Sequence, residues 1–133
     1  MRQRPYGHEL LETARLLLRE ELLHTLPEEK KLLALMIANT MGIAARQLAA
    51  GDAPAHNEWI SLTRILGKDI ASSLPSDNLI EHLSSLNREL CASIREGKTD
   101  PDGVLRMPVG DHLREVARQK LLESNPKYLD ANV

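Results

Sequence analysis

Hydrophobic positions recur every three to four residues through most of the chain, and the breaks in that rhythm fall at proline and glycine. From His8 to about His24, the residues Leu10, Leu11, Ala14, Leu17, Leu18 and Leu22 gather on one broad arc. At about 100° per residue that is the signature of an amphipathic helix. Leu26-Pro27 ends the segment, because the residue before a proline resists the α region. Glu28 and Glu29 open a second segment, with acidic charge at the positive end of the helix dipole. It runs to about Ala50 and stops at Gly51, a natural C′ residue. Asp52-Ala53-Pro54 turns the chain into a shorter third helix, Ala55 to Leu66, ended by Gly67. Lys68 to Leu74 carries no decisive pattern. Pro75-Ser76-Asp77 reads as the start of a fourth helix that continues to Glu96, with Leu79, Ile80, Leu83, Leu86, Leu90 and Ile94 on one face. Gly97 to Gly103 is a loop, and a fifth helix begins between Pro108 and Asp111 and ends at Ser124-Asn125-Pro126. The pattern predicts an all-α fold: a single compact up-down bundle of about five helices. It is read as one domain over residues 1–133, with an ordered core from about residue 6 to residue 129.

Composition sharpens this picture. The chain has 133 residues, 42% of them apolar and 27% charged, which suits a globular domain. Aromatic residues make up only 2%, while leucine occurs 24 times, so leucine must supply the core and any interface as well. A net charge of −2 gives no field to recruit nucleic acid or an anionic membrane, and neither is expected as a partner. The single cysteine, Cys91, excludes an internal disulfide, and its place beside the leucines of the fourth helix suggests a core position. A reducing, cytoplasmic setting is the expectation. The basic N-terminus leads into a charged amphipathic segment rather than a signal-peptide core. No unbroken apolar run approaches the ~20 residues of a membrane span.

Several polar residues fall where the core should be. Glu21 lies near the middle of the first helix's apolar arc. Asn39, Thr40, Arg46 and Gln47 share the arc of Leu32, Leu33, Leu35, Met36 and Ile43, and Asn87 sits between Ile80 and Cys91. An unpartnered polar group removed from water costs ~1–3 kcal/mol, and a charge costs more. Two arrangements answer that cost. Glu21 and Arg46 pair as ions while Asn39 and Asn87 bridge helices, or Glu21, Asn39, Arg46 and Asn87 line a small polar binding pocket. On the opposite side of the first helix, Leu16 and Leu23 lie seven residues apart. Either a neighbouring helix covers them, or they form an interface in a two-fold homo-oligomer, or they face water.

Motifs for known chemistry are incomplete. Glu21-Leu22-Leu23-His24 matches one Glu-x-x-His element of a di-iron bundle, which needs two such elements and two further glutamates. His8-Glu9-Leu10-Leu11-Glu12 begins like a zincin helix, but Glu12 occupies the place of the second histidine. There is no phosphate-binding glycine loop and no nucleophile elbow. No metal site, no cofactor and no catalytic residue is expected. Basic side chains alternate with acidic ones and have no aromatic partners on which bases would stack.

Four local strings occur in a distinctive order: Arg4-Pro5 leading to Glu9-Leu10-Leu11 and Leu18-Arg19-Glu20-Glu21; Ala38-Asn39 followed by Arg46-Gln47-Leu48; Asn87-Arg88-Glu89-Leu90 with Ile94-Arg95-Glu96-Gly97; and Asn125-Pro126-Lys127-Tyr128-Leu129. Together they resemble an uncharacterised bacterial family of small helical proteins known only as a domain of unknown function. The resemblance runs from about Arg4 to Leu129. It departs in the first helix, where Leu16-Leu17-Leu18 stands in place of the family's usual aromatic residue. Members are often encoded beside aminoglycoside-phosphotransferase-like kinases and acyl-CoA dehydrogenases. The resemblance therefore implies an accessory protein that partners an enzyme of one of those kinds, and it carries no catalytic residues over. A non-enzymatic interaction protein, forming a homodimer, is the leading expectation. The alternative is a small-molecule-binding or catalytic bundle built on the polar cluster.

Overall fold

Every regular element among the described residues, 4–70 and 78–130 of a computed structural model, is helical. Six α-helices run in order: α1 (Gly7–Leu17), α2 (Glu28–Ala50), α3 (Ala53–Ile65), α4 (Leu79–Arg95), α5 (Arg106–Ser124) and the short α6 (Lys127–Asp130). The breaks at Pro27, Gly51, Gly67 and Gly97 fall where the sequence places them. The proposed start of the fourth helix at Pro75-Ser76-Asp77 lies outside the described residues.

The first predicted helix is not one regular helix. The backbone N–H of Tyr6 donates to the Glu9 carboxylate at 2.7 Å and fixes the entry to α1. After Leu17 the spiral widens into a π-helical stretch, Leu18–Leu22, then tightens into a 3-10 turn, Leu23–Thr25. A π turn fits an extra residue into the winding, so every later side chain is displaced by roughly 100° from its place on a regular wheel.

The chain divides into two compact units, each with its own internal packing. The first comprises residues 1–51 with 120–133. Its centre is an antiparallel hairpin of α1 and α2: Gly7 lies beside Leu48, and Arg15 crosses the face of Gly42. The buried residues of α2 are Ala34, Ala38, Gly42 and Ala45, one stripe of small residues at helical spacing, and α1 has none. A Cβ added at Gly42 would stand 3.1 Å from Cδ of Arg15, so glycine leaves room for that side chain to lie across α2. Arg15 grips Glu12 one turn earlier, and its guanidinium holds the Glu12 carboxyl below the usual carboxylate range, with Arg46 adding a weaker pull.

The second unit, residues 52–119, has a conventional core. Trp59 and Leu62 of α3 meet Leu83, Leu86 and Leu90 of α4 and Val109 of α5. The α4 leucines recur at three and four residues, as the sequence predicts, and the Asn78 side chain caps that helix by accepting from the Glu81 N–H at 3.3 Å. Cys91 does not join them: it follows Leu90 by about 100° and is exposed. The Gly97–Gly103 loop closes through N–H groups of Lys98 and Leu105, which donate to the carbonyls of Ser93 and Lys98. At Gly103 a Cβ would collide with the Lys98 carbonyl.

Two tests follow from this core. Leu62 has no exposed surface, so Leu62→Ala should cost about 2–5 kcal/mol by urea unfolding. Val104→Ala, at a site 87% exposed, should change stability by less than about 0.5 kcal/mol. Equal losses would refute the assigned core. The second test uses pH. Burial pushes the His112 imidazole below its ordinary value of 6.5, and the nearby Glu58 charge opposes that only in part. The unfolded chain therefore takes up a proton near pH 6.5 that the folded chain refuses, and stability present above that pH is lost as pH falls below it. Melting temperature should drop more steeply from pH 7 to pH 5 in the wild type than in His112→Gln, and parallel slopes would refute the assignment.

Candidate functional site

The polar residues singled out from sequence fall in both units: Glu21, Asn39 and Arg46 in the first and Asn87 in the second. Glu21 is exposed on the π-helical stretch. The arc it was assigned to is itself open: Leu10, Leu17 and Leu22 are more than half exposed. Asn39 is exposed on α2, and Glu21 and Arg46 form no ion pair. The pair expected between them is corrected by what Arg46 does instead. Its Nε donates to the Glu123 carbonyl at 2.6 Å, and Nη2 reaches the Ser124 carbonyl at 3.4 Å. These are two of the carbonyls that the end of α5 leaves without helical donors. A cation there also meets the negative end of the helix dipole. Arg46 ties the last turn of α5 to α2 within the first unit.

Asn87 belongs to the second unit. Its Nδ2 donates to Oε1 of Glu58 at 3.0 Å, linking α4 to α3. One turn along α3, the Ser61 hydroxyl and Nδ1 of His112 lie 2.9 Å apart, linking α3 to α5. His112 is buried, which the sequence analysis did not single out. Glu58 and Ser61 stand three residues apart on one helix, a spacing that would have placed them on one face had their partners been known. Nearby, Trp59 Nε1 and Thr63 Oγ1 are buried without a hydrogen-bond partner among the described residues. These bonds cross-link three helices around an apolar core. Among the described residues no group of three or more His, Cys, Asp or Glu is placed to hold a metal ion.

The hairpin presents a different kind of surface. Its buried stripe consists of small residues, so its large apolar side chains point outward. Leu32 is 69% exposed and Met36 61%, with Leu33, Ile37 and Leu48 also open, and Leu10, Leu17 and Leu22 open on the preceding segment. The arcs that the sequence assigns to the core are thus largely in water here. Leu16 is exposed and Leu23 half-buried, and the π stretch between them breaks the seven-residue alignment that would make them one patch. Between α1 and α2 runs an apolar groove of about 420 Å³, lined by Leu11, Leu33, Met36, Ile37 and Ala44 among others. Thr40 lies in the same groove but turns its hydroxyl back to the Met36 carbonyl at 3.0 Å, leaving its methyl group to the surface.

By length and composition α2 is long and apolar enough to cross a membrane. The sequence reading missed this because it counted unbroken apolar residues, and Asn39 and Thr40 interrupt the run. The uncharged stretch, residues 32–45, is about 21 Å long, against a hydrocarbon thickness of ~30 Å.

No curated protein and no solved structure matches this chain. A family described as a domain of unknown function matches residues 24–128, which takes in α2 to α5 and the polar links of the second unit. The chain belongs to that family, DUF6285.

Proposed function

We propose that this chain is a non-enzymatic interaction protein whose hairpin unit docks on another protein through its outward leucine and methionine side chains. One observation carries the reading: the fully buried residues of α2 are alanine and glycine, while Leu32, Leu33, Leu35, Met36, Ile37 and Leu48 are open to water. Large aliphatic side chains left open together along one helix are a mark of contact surfaces. The second unit supports the reading in another way. It has its own core, so it needs nothing from the hairpin face to remain folded. The candidate partners are those implied by the resemblance, a phosphotransferase-like kinase or an acyl-CoA dehydrogenase, and a bacterial cytoplasm is the setting proposed with them. The small-molecule alternative gains no support from Glu21 and Asn39, which are exposed, or from Arg46 and Asn87, which are engaged by the Glu123 carbonyl and the Glu58 carboxylate.

The test is affinity capture from a lysate of the native host, read by mass spectrometry, with the wild type beside Leu33→Glu/Met36→Glu. Both positions are more than half exposed, so the variant should keep its helical circular dichroism. An enzyme of one of the two classes should be retained by the wild type and lost by the variant. Equal retention of the same proteins by both forms would overturn the reading.

A further inference from the structure

We infer that the first occupant of this surface is a second copy of the chain, with the two α2 helices packed antiparallel so that two hairpins form a four-helix bundle. This rests on the reading of the hairpin as a docking surface and names its partner. Open aliphatic surface is the first argument. Leu32, Leu33, Met36 and Ile37 are exposed on the side of α2 turned away from its buried stripe, the kind of surface a helix-on-helix contact covers. The fully buried residues of α2 are all alanine or glycine, so the hairpin has a thin core, and two such hairpins would add to it.

The distribution of residues along α2 is the second argument. Opposite the buried stripe lie Glu29, Leu33, Met36, Thr40, Ala44 and Gln47, spaced by three and four residues, with both polar ends outside the apolar middle. The pattern is self-complementary about a point between Met36 and Thr40. A two-fold axis there sets Met36 against the partner copy's Thr40 methyl, and Glu29 near the partner copy's Gln47. It also aligns the two helix dipoles head to tail. A parallel pairing would instead stack Glu28 and Glu29 on their own copies. The groove beside Leu11 and Ile37 is open to receive a side chain such as Met36 from the other hairpin. A bilayer fits less well. The uncharged stretch is about 9 Å short of the hydrocarbon thickness, and exposed Asn39 sits at its middle.

Sedimentation equilibrium on the full chain from about 1 to 100 μM tests the inference together with disulfide trapping. The wild type should be a dimer, and Met36→Glu should weaken the dimer at least about a hundredfold while remaining helical. In a Cys91→Ser background, Met36→Cys mixed with Thr40→Cys should give a heterodisulfide in higher yield than either variant forms with itself. Preferred Met36→Cys homodisulfide would overturn the antiparallel arrangement. A wild-type monomer at 100 μM, or a dimer unaffected by Met36→Glu, would overturn the inference. So would a monomer that floats with phosphatidylcholine–phosphatidylglycerol vesicles. A monomer that still loses its enzyme partner on Leu33→Glu/Met36→Glu would refute only the self-association and leave the docking reading standing.

Discussion

The choice of small residues, Ala34, Ala38, Gly42 and Ala45, for the buried face of α2 governs the first unit. Small side chains let two helix backbones approach, and the same choice removes large side chains from the contact. Leucines that would fill a wider interface are then displaced to the outer faces. The chain is rich in leucine and poor in aromatics, so those outer faces become a broad aliphatic surface. Gly42 has a further consequence. It lets Arg15 lie across α2 near Arg46, and Arg46 is turned to the carbonyls at the end of α5. Two cations are thereby placed side by side. Glu12 answers one of them, and the α5 dipole and carbonyls answer the other.

The second unit shows the opposite solution. Its helices meet through Trp59, Leu62, Leu83, Leu86 and Leu90, each large and each buried. Burying a side chain of that size contributes roughly 1.5–3 kcal/mol. Its polar links, Glu58 with Asn87 and Ser61 with His112, lie at the margin of that core and fix which faces meet. Each link satisfies polar groups that would otherwise be desolvated alone, and the cost of one unsatisfied partner exceeds the net gain of the bond. Stability and exposed surface are therefore divided between the units: one folds on its own core, and the other presents the surface it cannot cover.

Much of this was legible in the sequence. Proline and glycine marked the helix breaks, and the α4 stripe of Leu83, Leu86 and Leu90 followed from periodicity alone. The failures have specific physical causes. A wheel assumes constant pitch, and the π-helical stretch at Leu18–Leu22 broke the alignment of Leu16 with Leu23. Apolar periodicity shows which side chains share a face but not which face meets another helix. On α2 the buried face was the small-residue one, while Leu32 and Met36 stayed outside. Arg46 was recognised as out of place, yet its partner is a backbone carbonyl 77 residues away, and carbonyl positions leave no mark in side-chain patterns. His112 escaped notice because its partner, Ser61, is an ordinary helical serine until the fold brings α5 against α3.

The central claim is that the outer face of α2 is covered by association. Hydrogen exchange followed by mass spectrometry, on the wild-type chain at several concentrations, tests it most directly. Amides of residues 32–45 depend on a helix that has little buried surface of its own, whereas those of Leu83–Leu90 are held by an intrachain core. Protection over residues 32–45 should rise with concentration while protection over Leu83–Leu90 stays constant. Protection over residues 32–45 that is high and independent of concentration, down to the most dilute sample, would contradict the claim.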